Sequence, residues 1–405
     1  MPQPLRILFL HHFPLWGCGS GTFVRNLAIR LSGKQEIAIA CPETRTVEGV
    51  KLYPIKLPFF ASFTGHPEHP NSKLYAELSP GEITQLYRAF LHYAVDAVEN
   101  FRPHIIHANH AGVLTWAARY LYAIYGIPYL VTIHGTDLHN IDLDRRYWHL
   151  SRDAVKAARQ ITCVSGDTRA WFYRIFGGED KLRAKIRTIP AGINLADYDR
   201  TLSTDDLDAK YKLTGRPVVM FAGKLTPYKG VRYLVKAARW INGEVVIIGD
   251  GPELHTLTDL ARDLKVSNVR FLGHFGKKDD LWLHKFYQRA DVFVAPSVWD
   301  EPLGMVILEA MAYGTPVVVT RKGGIPLAVK DGVNGRFIKP RNSHDIADKV
   351  NALLADPARR RQLGEQARQV VEEKFTWDKI AEKFLQIYRA RAAGGNGKNG
   401  KTDRT

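Results

Sequence analysis

Residues 7–31 read ILFLHHFPLWGCGSGTFVRNLAIRL. Ile7 to Leu10 form a short apolar run of the kind that becomes a buried strand. Gly17, Gly19 and Gly21 follow in alternation, and from Phe23 to Leu31 apolar residues recur at helical spacing. Strand, glycine loop and helix in that order open a parallel α/β sheet. Glycines let backbone amides approach a ligand, and the helix N-terminus behind them favours an anion. The spacing departs from the G-x-G-x-x-G dinucleotide fingerprint, and Cys41-Pro42, not an acidic residue, follow the second strand. Taken alone, the segment reads equally well as a tight turn or a ligand loop.

The same alternation continues outward. Ile37 to Ala40, Ile105 to His107, Tyr129 to Ile133 and Ile161 to Val164 read as further strands, and Gln85 to Phe101 as a helix. Residues 41–80 are proline-rich and read as an irregular insertion. The rhythm pauses at Pro190-Ala191-Gly192-Ile193-Asn194 and restarts after Pro217. Val218 to Ala222, Val245 to Ile248, Val269 to Leu272, Val292 to Ala295 and Val317 to Thr320 are five more strands. Two α/β domains are therefore expected, 1–195 and 196–376. An amphipathic helix follows over 377–391, with Ile380, Phe384, Ile387 and Tyr388 on one side. The Gly-, Asn- and Lys-rich segment 392–405 reads as a disordered basic tail.

Composition bounds the function. The chain has 405 residues, 45% of them hydrophobic and 24% charged, an ordinary globular balance too long for one core. No apolar run reaches the roughly 18–20 residues of a membrane span. The start, Met-Pro-Gln-Pro-Leu-Arg, runs straight into the first strand, so no leader and a cytoplasmic location are expected. Cys18, Cys41 and Cys163 are too scattered for a disulfide framework or a zinc site. Lys and Arg number 57 against 41 Asp and Glu, a formal net charge of +16. Such a surplus favours anionic partners: phosphates, an acidic membrane surface or nucleic acid.

Three later segments carry candidate chemistry. Phe221-Ala222-Gly223-Lys224-Leu225-Thr226-Pro227-Tyr228-Lys229-Gly230 places two lysines in a loop after a strand. Lysine suits phosphate oxygens, although solvated surface lysines are commoner. In Asp300-Glu301-Pro302-Leu303-Gly304-Met305-Val306-Ile307-Leu308-Glu309, a loop gives way to an apolar helix. Amides at Gly304, Met305 and Val306 would face a diphosphate. Glu309, one helical turn on, would accept hydrogen bonds from ribose hydroxyls. A carboxylate on so apolar a helix is costly without a partner; a buried salt bridge or a cap is the structural alternative. Thr132-Ile133-His134-Gly135-Thr136-Asp137 ends a strand where α/β sheets bind ligands, and there His134 and Asp137 are candidates for contacting a sugar.

These elements, in this order, resemble the retaining glycosyltransferase family four of GT-B fold, the glycosyl transferases of group 1. The resemblance spans about Ile7 to Tyr388. It is strongest over Glu301 to Pro316, with Ile248-Gly249-Asp250-Gly251-Pro252, Gly323-Gly324-Ile325-Pro326 and Asp331-Gly332-Val333-Asn334-Gly335 in support. It implies two Rossmann-like, doubly wound domains facing a cleft, with the last helix crossing back to the first domain. It also implies roles. Glu309 would hold the ribose, Glu301 the donor-sugar hydroxyls, and Lys224 and Lys229 the departing diphosphate. His134 would contact the donor sugar, and Gly19 would offer its amide to the diphosphate. Ser20, Gly21 and Asp137 would lie on the acceptor side. Gly249, His274 and Phe275 would complete the donor site, the last two through backbone atoms by the base.

Departures from the family pattern leave the donor open. Lys224 stands where Arg is common, Leu303 where Phe is usual, Leu327 where many relatives have Glu, and Asn194 where Asp is frequent. The resemblance implies retention by front-face substitution, with a leaving diphosphate oxygen helping to deprotonate the acceptor. A UDP-sugar is the favoured donor and GDP-mannose the next. No Asp-x-Asp metal motif is read in the second domain, so no required metal or other cofactor is expected; Asp142-Leu143-Asp144, taken as the one such triplet, reads as a loop near the acceptor cleft and not as a nucleotide-metal site. Malate-type local turns point to a small soluble acid or phosphosugar acceptor. The basic, aromatic segments Arg119-Tyr120-Leu121-Tyr122, Arg145-Arg146-Tyr147-Trp148 and Arg169 to Phe176 point to a lipid-linked or polysaccharide acceptor, with the chain peripheral at an anionic membrane. Basic solvent faces of ordinary helices explain the same segments equally well. An epimerase, a phosphorylase and a non-catalytic nucleic-acid binder are the remaining alternatives; no recognised motif supports the last.

Overall fold

Seven strands of the first half assemble into one parallel sheet. The computed structural model describes residues 3–66, 69, 71–276, 280–300 and 303–392. The first-half strands are β1 (Arg6–Leu10), β2 (Glu36–Cys41), β3 (Lys51–Pro54), β4 (Ala61–Ser62), β5 (Lys73–Leu74), β6 (Ile105–Asn109), β7 (Tyr129–Ile133), β8 (Gln160–Cys163) and β9 (Ile186–Thr188). The sheet runs β3-β2-β1-β6-β7-β8-β9, while β4 and β5 pair separately. β1, β6 and β7 are buried along nearly their whole length, as strands covered by helices on both faces must be.

Local chemistry sets the helices. The helix Pro80–Phe101 begins with Ser79, whose hydroxyl accepts from Glu82 N–H, while Glu82 accepts from Ser79 N–H at 2.8 Å. Such a reciprocal cap, with proline in the first helical position, satisfies donors that the helix itself leaves open. The insertion at 41–80 is less irregular than its prolines suggest. β3 pairs with β2 in parallel register, and its Pro54 sits at the sheet edge, where a missing N–H is tolerated.

The second half repeats the design. Its strands are β10 (Val218–Ala222), β11 (Glu244–Ile248), β12 (Val269–Phe271), β13 (Val292–Ala295), β14 (Val317–Thr320) and β15 (Gly335–Ile338), ordered β12-β11-β10-β13-β14-β15 and all parallel. In both sheets the strand order reverses beside the first strand, between β1 and β6 and between β10 and β13. In open α/β sheets that switch point is where ligands bind.

The chain divides into two compact units, one ending at Ala191 and resuming at Trp377, the other spanning Gly192–Thr376. Sequence reading set the first boundary at 195/196. Ile193 N–H donates to Phe375 O at 2.8 Å, which ties the residues just after Ala191 to the second unit. The last helix, Trp377–Ala392, belongs to the first unit. It buries Trp377, Ile380, Phe384 and Tyr388 against Phe9, Phe23 and Leu27. Each such side chain contributes about 1.5–3 kcal/mol by leaving water. The Tyr388 hydroxyl also pairs with His107 Nδ1 at 2.7 Å. The tail 393–405, read as disordered, lies outside the described residues.

Candidate functional site

The second unit builds its site from the loops above β10, β11 and β13. After β10, Gly223 N–H donates to Ile248 O at 2.9 Å and Leu225 N–H to Asp250 O at 2.8 Å. Two loops are thus joined backbone to backbone. A Cβ on Gly249 would lie 1.9 Å from Gly223 O, and one on Gly230 would lie 2.2 Å from Pro296 O. Only glycine fits such approaches. The Gly249 amide is itself engaged, donating to Gly273 O at 2.8 Å. Gly249 therefore packs the loops together and does not offer its N–H to a donor. Lys224 is exposed and Lys229 half-buried on this frame. Beside them Tyr228 and Trp299, 59% and 58% exposed, pack edge to face at 5.5 Å.

β13 leads to Asp300, which accepts from Gly323 N–H at 3.2 Å and so joins the loops above β13 and β14. Glu301, expected to hold donor-sugar hydroxyls, lies outside the described residues. Gly304, at φ +72°, starts the helix Met305–Ala312, which has no side-chain cap. Among the described residues no hydrogen bond takes the amides of Gly304, Met305 or Val306, while Ile307 N–H turns back to Gly304 O at 2.9 Å. The helix thus presents open donors and the positive end of its dipole.

Glu309 stands one turn further on. It makes neither of the structural contacts weighed for it, a salt bridge or a cap. Its Oε2 accepts from the Tyr287 hydroxyl at 2.8 Å. Burial raises the carboxyl's pKa; the tyrosine donor opposes this and Asp280 adds to it. Tyr287 is buried on the helix Asp280–Arg289, and nothing in the local sequence marks it as a partner. His274 is exposed, whereas the Phe275 ring stacks on Phe286 at 5.9 Å and belongs to the core edge. The motif at 331–335 is structural: Asn334 accepts from Lys330 N–H at 2.6 Å and donates to Ala328 O at 2.8 Å.

The first unit offers a different chemistry. Cys18 caps the helix Gly19–Ser32, its sulfur accepting from Gly21 N–H at 3.3 Å. Gly19 is exposed with open space around it, and Ser20 is half-buried. Gly21, expected on the acceptor side, packs closely, because a Cβ there would lie 2.4 Å from Pro14 O. Asp137 also differs from expectation. It is fully buried, accepting from Ala111 N–H and Gly135 N–H at 2.7 Å each. Burial raises its pKa to about 6 against those bonds. Its carboxylate joins the loops after β6 and β7.

His134, at the end of β7, is half-buried, and its Nε2 pairs with Asn109 Oδ1 at 3.0 Å. Burial holds its pKa down to about 3, so the ring is neutral at physiological pH. Asp142 and Leu143 end the helix Thr136–Leu143, where a loop was expected. Asp142 accepts from Trp171 Nε1 at 2.7 Å and pairs with Arg145, and Asp144 pairs with Arg146. Two more Asp-x-Asp triplets, passed over in the sequence reading, lie in the second unit. In them Asp197 accepts from Asn194 and Asp199 from Thr201, while Asp206 pairs with Lys285 and Asp208 with Arg289.

Known proteins share this pattern. Residues 203–370 match the family described as Glycosyl transferases group 1, and residues 18–197 match Glycosyltransferase Family 4. An uncharacterized glycosyltransferase of Methanocaldococcus jannaschii is 31% identical over 365 residues, 86% of each chain. Among solved structures, sucrose-phosphate synthase of Thermosynechococcus elongatus has a TM-score of 0.73 at 21% identity, covering 96% of this chain and all of that one. Anabaena HepE, solved in complex with UDP, has a TM-score of 0.72 at 19% identity, covering 95% of this chain and all of its own. Sequence similarity along nearly the whole length, joined to two doubly wound sheets with loops built at their switch points, places this chain in the glycosyltransferases of group 1 and family 4, with the GT-B fold.

Proposed function

We propose that the chain is a retaining, metal-independent hexosyltransferase that moves sugar from a nucleoside diphosphate, with a UDP-sugar first and GDP-mannose next, to an acceptor hydroxyl. The observation that carries this reading is the Met305–Ala312 helix. Its open amides suit a diphosphate. On the next turn Tyr287 engages Glu309 Oε2, and no other described residue bonds that carboxylate, so Oε1 is available to ribose hydroxyls. UDP ranks first because HepE, a neighbour in fold, is solved with UDP and UDP-glucose.

Lys224, Lys229 and the helix N-terminus supply the positive charge for a departing diphosphate, the largest electrostatic requirement of the step. Such cations are why no metal is proposed as a requirement. The neutral His134 ring hydrogen-bonds the transferred sugar. Front-face departure then lets a diphosphate oxygen take the acceptor's proton.

A thermal-shift panel with UDP, UDP-glucose, GDP-mannose and ADP-glucose, each with and without EDTA, tests this reading. A ligand at 100 times its Kd stabilises the folded chain by about 2.7 kcal/mol. For a unit of this size that is a rise of roughly 5–10 °C. One nucleotide series should give this rise, unchanged by EDTA. A flat panel would point to a phosphorylase or a non-catalytic protein, and a shift abolished by EDTA would rule out metal independence.

No helix among the described residues is long and apolar enough to cross a membrane. We place the chain in the cytoplasm, peripheral at an anionic bilayer and acting on a lipid-linked or polysaccharide acceptor. Tyr120, Ile124 and Tyr125 on the helix Val113–Tyr125, with Leu150 nearby, are exposed. Tyr87, Trp116, Arg119, Tyr120 and Leu150 line a cavity of about 190 Å³ there. Part of the basic charge is internally neutralised, since Arg119 pairs with Asp153 at 3.1 Å. Co-sedimentation with vesicles should therefore rise with anionic lipid and fall with salt, with an apolar component that salt does not remove. Equal binding to neutral vesicles would count against an anionic surface.

A further inference from the structure

In two places the second unit sets cations side by side and puts an acid between them. Arg216 and Arg270 share Glu244, at 2.5 and 2.7 Å, and Arg289 and Arg360 share Asp291, at 3.3 and 2.9 Å. A third group has no such acid. Lys236 and Arg239, from the end of the helix Val231–Ala237 and just beyond it, and Lys339 and Arg341, from the loop after β15, line one cavity of about 490 Å³. Among the described residues no ion pair engages any of the four, and no acidic side chain lines the cavity. Asp345 stands one residue past the lining, and its Oδ2 accepts from Lys339 N–H at 2.6 Å. Trp240 and His344 complete the wall, their rings 4.0 Å apart, with the Arg239 guanidinium 4.4 Å from the Trp240 ring.

Like charges gathered without counter-ions repel one another, which costs stability. Water and salt relieve that repulsion where side chains diverge from a convex face. Here two separate segments bring the cations to one hollow. The loop after β15 is also strained. Pro340 and Arg341 form its turn, and Arg341 sits at φ +61°, where glycine or asparagine is the usual occupant. Such strain gathers at binding sites. The helix that follows, Ser343–Ala355, has its own cap, Asn342 Oδ1 accepting from Asp345 N–H at 3.0 Å. Attraction for an anion in the cavity therefore comes chiefly from the side-chain charges.

We propose that this cavity is a second anion site of the chain, separate from the nucleotide site, and that it takes the phosphate monoester of a small soluble molecule. None of Lys224, Lys229, Gly304, Met305, Val306 and Glu309 lines it. Its volume falls within the roughly 300–1,000 Å³ of small-molecule sites. A monoester carries nearly two negative charges and three acceptor oxygens. Two arginine forks and two lysine ammoniums match that charge and those oxygens better than they match a single carboxylate. Cations that converge on a hollow also suit a compact ligand, whereas a phosphodiester strand calls for a row of them. Trp240 is already packed against Arg239 and His344, so recognition is of charge before shape. The inference goes beyond the glycosyltransferase reading and does not depend on it.

Trp240 reports on the site. NMR of the full chain, labelled at its tryptophan indoles and assigned with Trp240→Phe, follows that signal at about pH 7.5, where a monoester is mostly dianionic. The probes are glycerol 3-phosphate, glycerol, sodium chloride at matched ionic strength, phosphatidate vesicles and a DNA oligonucleotide without terminal phosphates. Glycerol 3-phosphate should move the Trp240 signal to saturation, and glycerol should leave it in place. In Lys339→Gln/Arg341→Gly, half-saturation should need at least about tenfold more, since two charge-assisted hydrogen bonds are lost. The melting temperature of that variant without ligand should hold, because glycine accepts the left-handed turn and two repelling charges are gone. A response to glycerol 3-phosphate no larger than that to chloride makes the cluster a solvated basic face and overturns the proposal, as does unchanged half-saturation in the variant. A response confined to the vesicles or to the oligonucleotide overturns the small-molecule assignment. Failure of the donor reading is distinct: it would appear as absent UDP binding in the unmutated chain, with the Trp240 response to glycerol 3-phosphate intact.

Discussion

Lys229→Ala should lower kcat for sugar transfer by about 10²–10³-fold, with nucleotide affinity changed by less than tenfold. The asymmetry follows from where charge develops. On the proposed reading the diphosphate charge is shared in the ground state with the open amides before the Met305–Ala312 helix. As the glycosidic bond breaks, new charge gathers on the departing oxygen, and an ammonium nearby stabilises that state more than the bound substrate. The backbone that carries Lys229 is held: its amide N–H donates to Thr226 O at 3.0 Å, and Gly230, at φ +67°, closes the turn against Pro296. Lys224 is more exposed, so its charge is better screened and Lys224→Ala should cost less. Rates of transfer and of donor hydrolysis, measured side by side, should fall together, because both expel the same diphosphate. A Lys229→Ala enzyme with kcat within twofold of the parent would show that the leaving group departs elsewhere.

What the sequence displayed well were features of the chain itself. Unbroken apolar runs such as Val218 to Ala222 and Tyr129 to Ile133 are strands because both their faces are covered. The strands missed are those whose residues look unlike buried strands. β3 ends in Pro54, β9 carries the exposed Arg187 and β15 opens on Gly335; all three lie at sheet edges. Site residues were legible where a loop motif fixes them and opaque where distant chain supplies the partner. Glu309 could be singled out, because a carboxylate on an apolar helix is anomalous in one dimension. Its hydrogen bond to Tyr287, 22 positions earlier, could not be seen. Asp137 misled for the same reason. A strand-end aspartate suggests a ligand until Ala111, brought over by β6, is found to occupy it. His11 and His110 passed unnoticed because ring nitrogens with no hydrogen-bond partner among the described residues are a property of packing alone.

Glu309→Ala should weaken UDP binding by about 10–100-fold, since hydrogen bonds from hydroxyls to a buried carboxylate contribute roughly 1.5–3 kcal/mol. Titration calorimetry with UDP against 2′,3′-dideoxy-UDP separates this from a general loss of structure. The parent should distinguish the two nucleotides strongly and the variant hardly at all. Tyr287→Phe gives the sign of the electrostatics. The tyrosine donor holds the Glu309 pKa down against burial, so removing it lets that pKa rise further. The ionised carboxylate that ribose needs is then lost at a higher pH on acidification, and the fall of UDP affinity at low pH should move toward neutrality in Tyr287→Phe. Stability behaves oppositely if Glu309 exists for the ligand. The double variant Tyr287→Phe/Glu309→Leu removes a costly buried carboxyl together with its one hydrogen-bond partner among the described residues. Replacing both members of such a pair by apolar groups is near neutral or stabilising, so its melting temperature without nucleotide should hold or rise while UDP binding is lost. A large drop in melting temperature would return Glu309 to a structural role and leave the helix amides as the remaining anchor for the nucleotide.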